Sequence, residues 1–133
     1  NTPIEALEMS FPLRVNRYEL IPGSGGGGKF RGGLGARRAW TVLENNARAS
    51  VCMERMKSPP FGIAGGANGS PARATLKYPD GTQRALPSKG AFDVPAGGQV
   101  VLEAPGSGGY GDEAERDPTH IASDRKDGYI DET

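Results

Sequence analysis

Residues 72–86, ARATLKYPDGTQRAL, set the fold class: two strand-like runs, Ala72 to Tyr78 and Thr82 to Leu86, flank Pro79-Asp80-Gly81. Proline presets the first turn position and glycine supplies positive φ, so this stretch predicts a β-hairpin. Upstream, Ala36 to Glu44 and Ala47 to Glu54 are separated by Asn45-Asn46, which tolerates positive φ and predicts a second hairpin. In the later of these runs Ala47, Ala49, Val51 and Met53 share one face, and Arg48, Ser50, Cys52 and Glu54 the other. Downstream, Ala91 to Val94 and Gln99 to Ala104 flank Pro95-Ala96-Gly97-Gly98, the expected third hairpin.

The flanks complete the pattern. One helical turn is expected from Ile4 to Met9, stopped before Pro12. Leu13 to Ile21 alternates like a strand, with a slip near Arg17 that predicts a bulge. Residues 23–28, GSGGGG, read as a mobile loop, and residues 57–71 as irregular and glycine-rich. Near the end Asp117 suits an N-cap, Pro118 the first helical position and Gly128 the C′ position of a helix over Thr119 to Lys126. The expected fold is mainly β: short antiparallel strands and hairpins with glycine-rich loops, and one C-terminal α-helix. Residues 1–111 form the β-rich domain and residues 112–133 an acidic helix and tail.

Composition fits this and removes several functional classes. The chain has 133 residues and 13.9 kDa, room for one domain. Glycine and proline make up about a quarter of it, against roughly 12% in ordinary globular proteins. Zero net charge hides an asymmetry: residues 1–111 carry 13 Lys/Arg against 8 Asp/Glu, residues 112–133 carry 3 against 8. The basic residues are scattered singly and aromatics are only 7%, so the stacking pattern of an RNA-binding sheet is missing and no nucleic-acid partner is expected. Apolar runs are too short for a transmembrane helix, no basic-then-apolar leader opens the chain, and no membrane partner is expected. With one cysteine, Cys52, and one histidine, His120, neither an intrachain disulfide nor a His/Cys metal site is expected. The expected location is cytoplasmic.

Two motifs look stronger than they are. Gly23 to Lys29 matches G-x-x-x-x-G-K, but Phe30 stands where a phosphate-binding loop needs a hydroxyl for magnesium, and no helix follows. Gly106 to Gly111 matches G-x-G-x-x-G after a strand, yet the chain ends before a second parallel strand can supply the acidic ribose ligand. Its amides could nest an anion, but a tight loop allowing close backbone packing under Tyr110 is the better reading of the glycines. Cys52, with no histidine near it in sequence, reads as a small half-buried residue. The most site-like segment is Glu54-Arg55 beside Lys57 and the Pro59-Pro60-Phe61-Gly62 turn. There Arg55 either presents a fixed fork to a carboxylate or phosphate or pairs with Glu54 or Glu103 across the sheet.

Several segments in order, namely NTPIEALE, FPLRVNRYEL, GSGGGGKFRGGLGARR, the ER of MERMKSPPFGIAGG, LPSK and EAPGSGGYGDEAERDP, resemble the hydantoinase B/oxoprolinase family. That group includes N-methylhydantoinase B, the matching half of 5-oxoprolinase and subunits of acetone and acetophenone carboxylases. The resemblance covers nearly the whole chain and implies the C-terminal portion of a protein several hundred residues long. It implies a role in an ATP-dependent enzyme that hydrolyses a cyclic amide (hydantoin, oxoproline or lactam) or carboxylates a ketone. The implied partners are the remainder of the hydantoinase B-type subunit and a hydantoinase A-type subunit that binds ATP. ATP and a divalent metal are expected in the full complex, with no cofactor, metal or catalytic residue held by this chain alone. Arg55 and Lys89 are the expected anion-holding groups, with Tyr110 and the Gly108–Gly111 amides next. The rival expectation is a non-catalytic β-module that mediates subunit assembly.

Overall fold

The Pro-Asp-Gly turn closes a hairpin in the computed structural model, which describes residues 2–130. The elements are α1 (Ile4–Ser10), β1 (Leu13–Leu20), β2 (Ala36–Val42), β3 (Ala47–Cys52), β4 (Arg73–Lys77), β5 (Gln83–Ala85), β6 (Lys89–Val94), β7 (Gln99–Glu103) and α2 (Pro118–Lys126). The mainly β class with a C-terminal helix is therefore what forms. The chain divides into two units: one built from residues up to Tyr18, Arg37–Glu54 and Arg73–Glu103, the other from Glu19–Ala36, Arg55–Ala72 and the stretch from Ala104 onward.

The first unit is a pair of antiparallel sheets. β1, β2, β7, β4 and β5 line up in that order, and β3 pairs with β6. The register puts Trp40, Val100 and Leu76 in one row across the larger sheet, with Leu102 and Ala74 in the next. In the smaller sheet Ala47 faces Val94 and Ala49 faces Phe92. Trp40, Val100 and Leu102 line one apolar groove of about 440 Å³ with Ala47, Ala49, Phe92 and Val94, so the two sheets share an apolar interior. Leu76 is fully buried and Val94 nearly so. Val15 and Tyr18 line one side of β1 with Arg38 and Trp40, while Arg17 lines the other side with Arg37, so the alternation does shift by one at Arg17.

Two expected hairpins do not form. Asn45 adopts positive φ (57°), but β2 pairs with β7 and β3 with β6, so Asn45-Asn46 carries the chain from one sheet to the other. The Pro95–Gly98 turn makes the same crossing, with Val42 and Gly98, and Val42 and Gly97, exchanging backbone hydrogen bonds beside it. The physical reason is burial. Ala47, Ala49 and Val51 and their partners on β6 need an apolar layer opposite them, and a flat continuation of β2 would leave that face in water.

Apart from α2, the second unit has almost no regular structure, yet it is densely hydrogen bonded. Gly26 N–H donates to Ser107, Ala67 to Gly27, Ser70 to Ser24, Gly109 to Ala67 and Ser107 to Gly33, each through backbone groups. Three glycine-rich stretches near 24–35, 62–70 and 106–111 thus satisfy one another's polar backbone groups, as buried amides must. Ser24, Gly26, Gly28 and Gly32 are buried, so the expected mobile GSGGGG loop is instead interior to this unit. The approach is close enough that side chains are excluded. A Cβ on Gly109 would lie 2.0 Å from the Gly27 carbonyl oxygen, and one on Gly106 1.8 Å from that of Ser24.

The expected cap residues organise α2. The Asp117 carboxylate accepts from Thr119 N–H at 2.8 Å, Pro118 opens the helix, and Gly128 has φ 70° just beyond it. These bonds from Thr119 hold the Asp117 carboxyl below its ordinary value. Asp124, near the end of α2, is buried and paired with Arg31 and Arg116. The hydrogen bonds from Arg31 outweigh burial and hold its carboxyl below the ordinary value. The last three residues of the expected acidic tail lie outside the described residues.

Gly109→Ala, whose methyl meets backbone that cannot retreat, should destabilise by more than about 3 kcal/mol. Gly33→Ala, whose methyl would meet only the Ser107 hydroxyl at 3.6 Å, should lie within about 1 kcal/mol of wild type. Thermal melts of the two variants check this. Because Asp124's carboxyl is depressed on folding, its stabilisation is present above the unfolded carboxylate value and lost as pH falls through the lower folded one. The stability gap between wild type and Asp124→Asn should be level from about pH 5 to about pH 8 and shrink below about pH 4 in denaturant titrations.

Candidate functional site

Arg55 opens the second unit's middle stretch and is held there by backbone: its carbonyl accepts from Ala72 N–H at 3.0 Å. Its own φ is 63°, a left-handed conformation that costs a non-glycine residue roughly 1–2 kcal/mol. Strain of this kind persists only where surrounding structure enforces it, and it is concentrated at functional sites. The side chain is exposed. Neither sequence-expected partner engages it: Glu54 pairs with Lys89 at 3.4 Å and Glu103 with Arg37 at 2.8 Å.

Lys89 begins β6, directly opposite Cys52 on β3, and its ammonium meets the Glu54 carboxylate in an exposed pair. Such pairs hold loosely, about 1 kcal/mol or less, so the ammonium can exchange Glu54 for another anion. Cys52 is exposed, not half-buried.

Tyr110 is held by register. It exchanges both backbone hydrogen bonds with Phe30, at 3.0 and 2.9 Å, and forms a parallel bridge with Ile63. The Phe30 and Tyr110 rings are tilted at 40° with centroids 6.3 Å apart. Residues 30, 63 and 110 thus form one exposed row across the three glycine stretches, with Phe61 exposed nearby in sequence. This row of exposed aromatic and aliphatic side chains stands on a floor of glycine backbone, and no local motif announces it.

The Gly108–Gly111 amides are mostly committed elsewhere. Gly109, Tyr110 and Gly111 donate to the carbonyls of Ala67, Phe30 and Ile63, so they do not form a free anion nest. The same holds for the loop with phosphate-binding spacing: Gly26 and Lys29 amides donate to Ser107 and Gly111, and the Lys29 ammonium pairs with Glu115 at 3.0 Å. Among the described residues no three His, Cys, Asp or Glu side chains converge on one point, so they do not build a metal cage for the divalent ion that the family resemblance implies.

Sequence reasoning missed a polar trough on the outer face of the larger sheet. It has a volume of about 470 Å³, a floor of Ala39, Thr75 and Val101, and walls that include Arg17, Arg37 and Lys77. No local signal marks it, because β2, β7 and β4 become neighbours only through the non-sequential strand order.

Comparison with known proteins identifies what carries this arrangement. The sequence profile of hydantoinase B/oxoprolinase matches residues 1–113. The chain belongs to the hydantoinase B/oxoprolinase family. It is 31% identical over 131 residues to caprolactamase subunit beta of Pseudomonas jessenii, covering 96% of this chain and 22% of that protein. It is also 31% identical over 110 residues to the 5-oxoprolinase of Dictyostelium discoideum, covering 83% of this chain and 9% of that one. The crystal structure of the ATP-dependent caprolactamase from P. jessenii superposes with a TM-score of 0.86 at 32% identity, over 97% of this chain and 23% of that chain. A nucleotide-free acetone carboxylase shares the fold at a TM-score of 0.74 and 19% identity. The chain therefore spans under a quarter of the length of these relatives, and what it presents is a hydantoinase B-type domain. Among the described residues no helix is long and apolar enough to cross a membrane.

Proposed function

We propose that this hydantoinase B-type domain serves as the C-terminal portion of the B-type subunit in an ATP-dependent enzyme that opens a cyclic amide. The observation that carries the proposal is the likeness to the ATP-dependent caprolactamase along 97% of the chain. The acetone carboxylase likeness is one of fold, so ketone carboxylation stands second.

An unactivated amide resists attack because its nitrogen is a poor leaving group and its carbonyl carbon is weakly electrophilic. Transfer of a phosphoryl group from ATP to the amide oxygen removes both obstacles. Water then attacks the carbon, the ring nitrogen takes a proton and the C–N bond breaks to leave an acyl phosphate, and a second water releases phosphate and the carboxylate. In this scheme ATP and the divalent ion belong to the remainder of the complex, including the A-type partner subunit. This chain supplies groups suited to the anionic parts of the reaction. Arg55 offers a planar fork for a phosphate or carboxylate, Lys89 a mobile point charge, and Tyr110 a phenol on a fixed backbone. None of the three is assigned the bond-breaking step.

A second reading, assembly without direct contact to substrate, is favoured by the exposed Phe30, Phe61, Ile63 and Tyr110 side chains and by the open apolar groove of the first unit. The two readings separate at Arg55. Arg55→Gly releases the left-handed strain and should raise stability by about 1 kcal/mol. Arg55→Ala keeps the strain and removes only the guanidinium. In the assembled enzyme both should lower kcat/KM by about a hundredfold, the loss of one charge-assisted contact of about 3 kcal/mol. Turnover and melting curves on the two variants check this, and unchanged turnover in both assigns Arg55 to the scaffold.

A further inference from the structure

Asp124 gathers two arginines that come from different stretches of the second unit. Arg31 donates to it from Nε at 3.0 Å and from Nη2 at 3.2 Å, and Arg116 donates from Nη2. Asp124 is only 8% exposed, and among the described residues no buried side-chain polar atom lacks a partner. Each arginine then extends to the glycine stretch. Arg31 Nη1 donates to the Gly32 carbonyl at 2.8 Å, and Arg116 Nη1 to the carbonyls of Gly28 and Lys29, both at 3.4 Å. Tyr129 closes the assembly. Its ring lies under the Arg31 guanidinium at 5.4 Å, its amide donates to the Asp124 carbonyl, and its own carbonyl accepts from Gly23 N–H.

The chemistry suits a latch. A glycine stretch has no side chains with which to fix itself, and glycine has the most conformational freedom to lose. Guanidinium forks are the groups that can hold a carboxylate and a backbone carbonyl at once, and the carboxylate locks both forks in orientation. The fixed carbonyls, those of Gly28, Lys29 and Gly32, lie on both sides of Phe30. Phe30 in turn exchanges both backbone bonds with Tyr110. The carriers of the latch, Arg116, Asp124 and Tyr129, all lie beyond residue 113, where the family profile ends. The caprolactamase likeness takes in 96% of the chain and the Dictyostelium 5-oxoprolinase likeness 83%.

We infer that Asp124 is a positioning residue: acting through Arg31 and Arg116, α2 sets the backbone on both sides of Phe30 and so aims the Phe30–Tyr110 pair. Its effect on turnover rests on the function proposed above, whereas its effect on the glycine backbone does not.

The test uses the complete B-type subunit assembled with its A-type partner, in wild-type, Asp124→Asn, Asp124→Glu and Arg116→Lys forms. Amide exchange over residues 26–33 is followed by mass spectrometry, and kcat and KM for the cyclic amide are measured on the same samples. Asp124→Asn should speed exchange at Gly26, Phe30 and Gly32 by about tenfold or more and lower kcat by about tenfold with little change in KM. Asp124→Glu, which keeps the charge, should recover part of both. Arg116→Lys keeps charge but loses the fork, and it should show the same fast exchange even if the asparagine variant fails to fold. Unchanged exchange in Asp124→Asn and Arg116→Lys overturns the latch whatever the activity. Fast exchange with unchanged kcat overturns the positioning role. Failure of the proposed function shows separately, as the absence of ATP-dependent ring opening by the wild-type assembly while the exchange comparison still reads the latch.

Discussion

Backbone-to-backbone packing between glycine stretches is the constraint on which the second unit depends. Where the Gly66 Cα faces Gly109 and the Gly106 Cα faces Ser24, an added methyl would meet main-chain atoms at about 2 Å. No rotamer change relieves such a clash, because the obstructing atom is itself held by hydrogen bonds. Three stretches far apart in sequence must therefore arrive together, each supplying acceptors for the others' amides. The composition of the chain, odd for a globular domain, is the direct consequence. Glycine here is not a sign of looseness, since the amides of Gly26, Gly32, Gly106, Gly109 and Gly111 all have backbone partners.

A floor without side chains shows whatever few side chains remain. Phe30, Ile63 and Tyr110 stand in a row because their backbones are in hydrogen-bonded register, not because any one element is amphipathic. Arg55 is aimed in a similar way, by a left-handed backbone that Ala72 N–H helps to hold. The first unit follows more familiar rules: two antiparallel sheets bury Leu76, Val94 and Phe92 between them, and the outer face is polar. Its Lys89 is placed by strand register and only loosely held by Glu54. Both units thus position cations by main chain, Arg55 in one and Lys89 in the other.

Local chemistry was legible in the sequence, and long-range partnership was not. Pro79-Asp80-Gly81, the Asp117 cap and Gly128 each act within a few residues, so each could be read directly, and the structure places them as expected. Asn45-Asn46 and Pro95–Gly98 gave correct turns with wrong partners, since turn residues encode a reversal and not which sheet receives the next strand. GSGGGG suggested mobility because glycine propensity describes an isolated chain, and the compensating hydrogen bonds come from Ala67, Ser70, Ser107 and Tyr129. The Asp124 latch left no trace either, because a lone aspartate on a polar helix looks like solvent exposure until Arg31 and Arg116 are brought to it. The family resemblance succeeded because an ordered series of segments preserves the long-range information that any one segment lacks.

The proposal that this domain is one portion of a larger two-subunit, ATP-dependent assembly is open to a direct test. Native mass spectrometry of the protein drawn gently from its natural source tests it most directly. This sequence should travel in a complex containing the remainder of a B-type subunit and a large ATP-binding partner. A folded 13.9 kDa monomer that associates with neither would contradict it.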